Sequence, residues 1–75
     1  MLILKNINPK YSVFYIGWLV LKIIQEKNEN DIMKIYYDLN NKIDISFSLY
    51  LFALDWLYLA SAIVLKDNNI YLHEH

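Results

Sequence analysis

Few residues in this chain have the type and spacing to do chemistry. Asp55 is the only charge between Ser46 and Leu65, in a run otherwise built mostly from Leu, Phe, Tyr, Trp and Ala. A carboxyl group held among apolar side chains is raised in pKa and becomes available for proton transfer. Acid–base work also needs a second group, and no His or other carboxylate stands at helical spacing from Asp55. Ser48, two turns away, is its one polar neighbour. The expected role of Asp55 and Ser48 is therefore structural: a polar seam at the rim of a core, with Asp55 bonded to a backbone amide or a hydroxyl. His73-Glu74-His75 sets two imidazoles on one face of a strand, which begins a metal site but offers no third ligand. A single Gly excludes the phosphate-cradling loops that need several, and the lack of Cys removes thiolate ligands and disulfides. No catalytic residue, metal site or cofactor is expected, and the chain is not expected to be an enzyme.

Length and charge narrow the remaining classes. Seventy-five residues make one small domain, residues 1–75, with no room for a second core. An apolar fraction of 57 % excludes disorder and is high for a domain of this size standing alone. All seven basic residues are Lys, scattered along the chain and offset by eight carboxylates. Nucleic-acid readers instead concentrate basic charge on one face and favour Arg for bidentate contacts. Met1–Leu4 is followed by Lys5, Asn6 and Pro9, the wrong order for a signal peptide, and a cytoplasmic location is expected.

The elements that must position these residues can be read in order. Leu2–Leu4 is a short apolar strand. Ser12 caps a first helix, Val13–Lys27, whose core face carries Val13, Ile16, Val20, Ile23 and Ile24, with Gly17 at its edge to let another backbone approach. Tyr15 and Trp18 lie on the opposite face, where aromatic residues favour interfaces. A second helix, Asp31–Asn40, shows one stripe of Ile32, Ile35, Tyr36 and Leu39, and Asn40-Asn41 ends it in a left-handed conformation. Ser46 caps the third, with Ile45 and Tyr50 at the spacing of a hydrophobic staple. Ile63–Lys66 and Ile70–His73 flank Asp67-Asn68-Asn69 as a hairpin. The fold class is α+β: a small winged-helix-like domain of three helices followed by a β-hairpin, which Leu2–Leu4 could join as a third strand.

The third helix is the centre of the chain. Phe47, Tyr50, Leu51, Leu54 and Tyr58 form one apolar stripe, and Leu49, Phe52, Ala53, Trp56 and Leu59 form another on nearly the opposite side. One stripe serves the core; the other must face another element, another chain (a different protein or a second copy), or lipid. Base recognition is disfavoured, since no Arg, Lys, Asn or Gln occurs between Ser46 and Leu65. Residues 46–65 are long enough for a single membrane span, with Asp55 costing about 2.5–3.5 kcal/mol at its centre. The expected partner interface is Leu49, Phe52, Trp56 and Leu59, or the opposite stripe if the helix is turned over, with Tyr15 and Trp18 as a second contact.

Phe52-Ala53-Leu54-Asp55-Trp56-Leu57-Tyr58, leading into Ile63-Val64-Leu65 and a polar turn, resembles the small middle component of bacterial ABC-three-component systems. Members carry an A-L-D-x-L-Y segment followed by a short hairpin. Pro9, Ser12 and the run from Gly17 to Ile24 agree in order and spacing. Where the family usually has Gly near the end of the central helix, this chain has Ser61. The resemblance implies a non-catalytic, winged-helix-like adaptor that joins an SMC/Rad50-like ATPase and a larger effector in defence against phages and plasmids. A self-contained homo-oligomeric module and a small membrane protein are the alternatives.

Overall fold

Three helices start where a short polar side chain can take an otherwise unpaired amide. A computed structural model describes residues 12–73. In it the Ser12 hydroxyl accepts the Tyr15 N–H at 3.1 Å and opens α1, Val13–Lys27. Asp31 accepts the N–H groups of Met33 and Lys34 and opens α2, Ile32–Lys42. Ser46 accepts the Leu49 N–H at 3.1 Å and opens α3, Phe47–Leu59. Strands β1, Ile63–Lys66, and β2, Asn69–Leu72, pair antiparallel in a hairpin. The element order is the expected one, three helices followed by a β-hairpin in a small α+β domain. The expected strand at Leu2–Leu4 lies outside the described residues.

α1 ends where expected, and the ends of α2 and α3 depart from expectation for reasons that can be named. α1 stops at Asn28, whose φ of 56° is the left-handed region that Asn tolerates. α2 runs past Asn40-Asn41 to Lys42 and ends on an extended Ile43. Asn40 does not turn the backbone; its side-chain oxygen accepts the Ile45 N–H at 3.1 Å and holds the connection to α3. α3 ends at Leu59, not beyond it. The Ser61 N–H donates to the Tyr58 carbonyl and the Ala62 N–H to the Leu57 carbonyl, with Ser61 at φ 61°. This pair of bonds is the Schellman arrangement, with serine in the left-handed position that glycine usually fills.

That early stop divides residues 46–65 into helix, turn and strand. The 13-residue helix is about 20 Å long against the roughly 30 Å of a bilayer core. Among the described residues no helix is long and apolar enough to cross a membrane, which removes the single span at 46–65.

The hairpin turn is tighter than expected. Asp67 and Asn68 alone form the loop, both with positive φ, and Asn69 already pairs with Lys66. β2 also bonds on its other side to the α1–α2 connection. The Ile70 N–H donates to the Asn30 carbonyl at 2.7 Å, and the Asn30 side-chain amide donates back to the Ile70 carbonyl at 2.7 Å. The Ile32 N–H donates to the Asn68 carbonyl. Among the described residues, it is this connection, with Asp31 bridging to Asn69, that adds a third edge to the hairpin.

The core lies between the helices and closes on the hairpin. α1 gives Ile16, Val20, Ile23 and Ile24, the face read from its spacing, while Val13 is only partly buried at its end. α2 gives Ile35 and Leu39, with Ile32 and Tyr36 half-buried beside them. Ile45, Ile63 and Ile70 complete it around Tyr50, Ala53, Leu54 and Leu57 of α3. Each such aliphatic side chain contributes roughly 1.5–3 kcal/mol by leaving water. Gly17 sits where α1 meets α3. A Cβ there would lie 3.3 Å from the Leu57 Cδ2 and 3.6 Å from the Trp56 Cε3, so the close approach is made by side chains, not by a second backbone.

Candidate functional site

The inward strip of α3 is neither of the two stripes read from the sequence. The core takes Tyr50 and Leu54 from one, Ala53 from the other, and Leu57 from neither. Successive residues of a helix are 100° apart, so positions 50, 53, 54 and 57 share one face and positions 48, 52, 55 and 59 share the opposite one. Ser48 and Asp55 therefore run down the middle of the outward face. Phe47, Leu51 and Tyr58 flank that seam on one side, and Phe52, Trp56 and Leu59 on the other; all six are exposed. The exposed members of the two stripes are the two flanks of one outward surface.

The inward face is fixed by aromatic hydroxyls as well as by area. Fully buried Tyr50 donates its hydroxyl to the Ile32 carbonyl at 2.7 Å, tying α3 to the first residue of α2. Burial pushes this phenol well above its ordinary value of 10.0, and the negative charge of Asp31 adds to the rise. Tyr36 donates to the Ile45 carbonyl at 3.1 Å, and its ring meets those of Phe47 and Tyr50 at 5.1 and 5.2 Å.

The outward face continues onto α1. Phe14 places its ring edge-to-face on Trp56, with centroids 4.9 Å apart at 87°. Ser12, Val13, Phe14, Phe52, Asp55, Trp56 and Leu59 line a groove of about 470 Å³ between the start of α1 and the second half of α3. Leu59 is 80 % exposed and Phe52 and Phe14 are each 65 % exposed, values far above those of side chains seated in a core. Leu59 is also the ridge shared with a second depression, lined by Tyr58, Ser61, Ile63, Val64 and His73.

Of the expected interface residues, Phe52, Trp56 and Leu59 come together in the groove. Leu49 does not join them; it is half-buried and packs against the core. Tyr15 and Trp18 stack at 6.0 Å on α1, with the Lys22 ammonium 4.8 Å from the Trp18 ring centre. Phe14 is the residue that sequence reasoning missed. Its one legible signal is its place one helical turn before Trp18, on the side of α1 away from the core.

Asp55 does not sit at a core rim bonded to an amide or hydroxyl. It is exposed, and among the described residues nothing pairs with it. Ser48 is exposed on the same face. Three His, Cys, Asp or Glu side chains that could hold a metal are found nowhere among the described residues. Of the His73-Glu74-His75 motif, Glu74 and His75 lie outside them. What the arrangement offers is a surface: aromatic and aliphatic groups around one carboxylate.

Comparison with known proteins gives one result. The family model described as ABC-three component (ABC-3C) system Middle Component 6 matches residues 2–73. No curated protein and no solved structure matches the chain.

Proposed function

The chain belongs to the ABC-three-component system Middle Component 6 family, and from that premise we propose that it is a non-catalytic accessory subunit working in the cytoplasm. In this reading residues 1–75 form one winged-helix-like domain that joins an SMC/Rad50-like ATPase to a larger effector in a bacterial anti-phage or anti-plasmid complex. The observation that carries it is the outward face of α3. A soluble domain has no folding reason to hold Phe52 and Leu59 in water at 65 % and 80 % exposure. Contact with another chain supplies one, and a joining subunit needs such contacts and no reaction centre. Tyr15 and Trp18 on α1 provide a second contact, on the same helix as Phe14. The winged-helix arrangement then serves as a scaffold for protein binding, without Arg, Lys, Asn or Gln on α3 to read base edges.

The test is a pull-down of the tagged chain, expressed with the proteins encoded beside it and without detergent, read by mass spectrometry. Recovery of an ATPase-sized subunit and a second large protein in fixed ratio supports the proposal. Recovery of this chain alone, at a defined mass, overturns it in favour of a self-contained oligomer.

A further inference from the structure

The groove between α1 and α3 has one polar feature that selects among its occupants. Phe14, Phe52, Trp56 and Leu59 make its walls apolar, and among the described residues no cation pairs with Asp55, which stands exposed between them. The two ion pairs among the described residues lie elsewhere, Lys22 with Glu26 and Lys27 with Asp38. Whatever covers the groove takes the Asp55 carboxylate out of water, and a carboxylate covered without a partner opposes binding strongly. Lipid tails bring no partner. A second copy packed face to face about a twofold axis sets Asp55 against Asp55 or against more Phe, Trp and Leu, since no Lys or Arg lines the groove among the described residues.

We propose that the groove receives a segment of a different protein that seats an apolar side chain against Phe14, Phe52 and Trp56 and presents a cation, Arg foremost, to Asp55. Arg fits because its planar guanidinium pairs with a carboxylate through two hydrogen bonds and lies flat on aromatic rings such as that of Trp56. Aromatic and Arg anchors in desolvated pockets dominate the energy of tight interfaces, and removing one partner of a buried charge pair is costly. The inference rests on the accessory-subunit reading and adds to it the chemistry of the partner.

The experiment uses the full tagged chain, co-expressed with the proteins encoded beside it, as wild type, Asp55→Asn, Asp55→Lys and, as a control on α2, Tyr37→Ser. Any large subunit retained by the wild type is purified and titrated against each variant. Urea midpoints of the isolated variants show that folding is kept. Asp55→Asn is expected to weaken binding about tenfold or more and Asp55→Lys by more than about 30-fold, with Tyr37→Ser unchanged. Retention by the wild type with equal affinity for both Asp55 variants overturns the cation pairing and leaves the accessory reading standing. Failure of the wild type to retain any large subunit overturns both. In that sample a defined dimer mass by light scattering puts a second copy on this face, and recovery only with detergent puts lipid there.

Discussion

α2 and α3 are neighbours of similar length whose outward sides differ completely. α2 buries Ile35 and Leu39 and shows water Lys34, Asn40, Asn41 and Lys42, with Met33 and Tyr37 exposed singly among them. Asp38 on its flank pairs with Lys27 of α1 at 2.8 Å, a surface bridge worth about 0–1 kcal/mol. α3 buries Tyr50, Ala53, Leu54 and Leu57 and shows water six large apolar residues around Ser48 and Asp55. Folding completes α2: its apolar side is used and its polar side is solvated. Folding uses only half of α3. The difference separates apolar residues that folding buries from apolar residues that it leaves in water, although Leu and Tyr occur among both.

That separation can be broken at its strongest point by Leu57→Ala. Removing a fully seated side chain at the α1–α3 crossing should cost about 2–5 kcal/mol in urea unfolding. A loss below about 1 kcal/mol would mean that α3 rests on the core by another face. Next in size is Tyr50→Phe, which leaves the Ile32 carbonyl without its phenol and should cost about 1–2 kcal/mol. It carries a pH signature. The folded phenol keeps its proton above 10.0, where the unfolded one loses it, so its contribution is full below pH 10 and is lost as pH rises through the raised value. Stability of the wild type should fall above pH 10, and Tyr50→Phe should flatten that fall. Equal alkaline slopes for the two proteins would show that Tyr50 is not the group responsible.

Ser61→Gly acts on the boundary between the helix and the strand. A non-glycine residue in the left-handed region costs about 1–2 kcal/mol, and glycine recovers part of it, so the thermal midpoint should rise by an amount equivalent to about 0.5–1 kcal/mol. A lowered midpoint would mean that the serine side chain itself holds the turn. The smallest stability change belongs to the outward face. Leu59→Ser should shift folding by no more than about 0.5 kcal/mol while reducing recovery of partner subunits. A fold that weakens as much as with Leu57→Ala would erase the contrast between the two sides of α3.

The contrast also explains what could be read beforehand. Ser12 and Ser46 were legible as caps because each acts on an amide three residues away, whereas Asp31, read as the first residue of the second helix, is its cap. The core face of α1 was legible because Lys22, Gln25 and Glu26 mark its other side. α3 carries no such marker. With apolar residues all round, periodicity could not choose its inward strip, and Leu57 went unassigned. Its end at Leu59 was hidden because Ser61 occupies a conformation usually signalled by Gly, and Asn40-Asn41 suggested a turn where a side-chain acceptor was being used. At the candidate site, Phe52, Trp56 and Leu59 followed from spacing on one helix. Phe14 did not, because its meeting with Trp56 spans most of the chain and depends on how α1 crosses α3.

The bonds between β2 and the α1–α2 connection have a consequence for how the protein is made. Asn30 waits for Ile70, 40 residues later, and at about 5–20 residues per second that separation takes roughly 2–8 s to synthesise. Until then α1 and α2 exist without the strand that anchors the junction between them, and the hairpin side of the core stays open. Such late, non-local closure slows folding and lengthens the exposure of sticky surface on the nascent chain. A partner translated close by could occupy the outward face of α3 as the domain shuts, so the timing of synthesis, as much as affinity, would decide which protein meets it first.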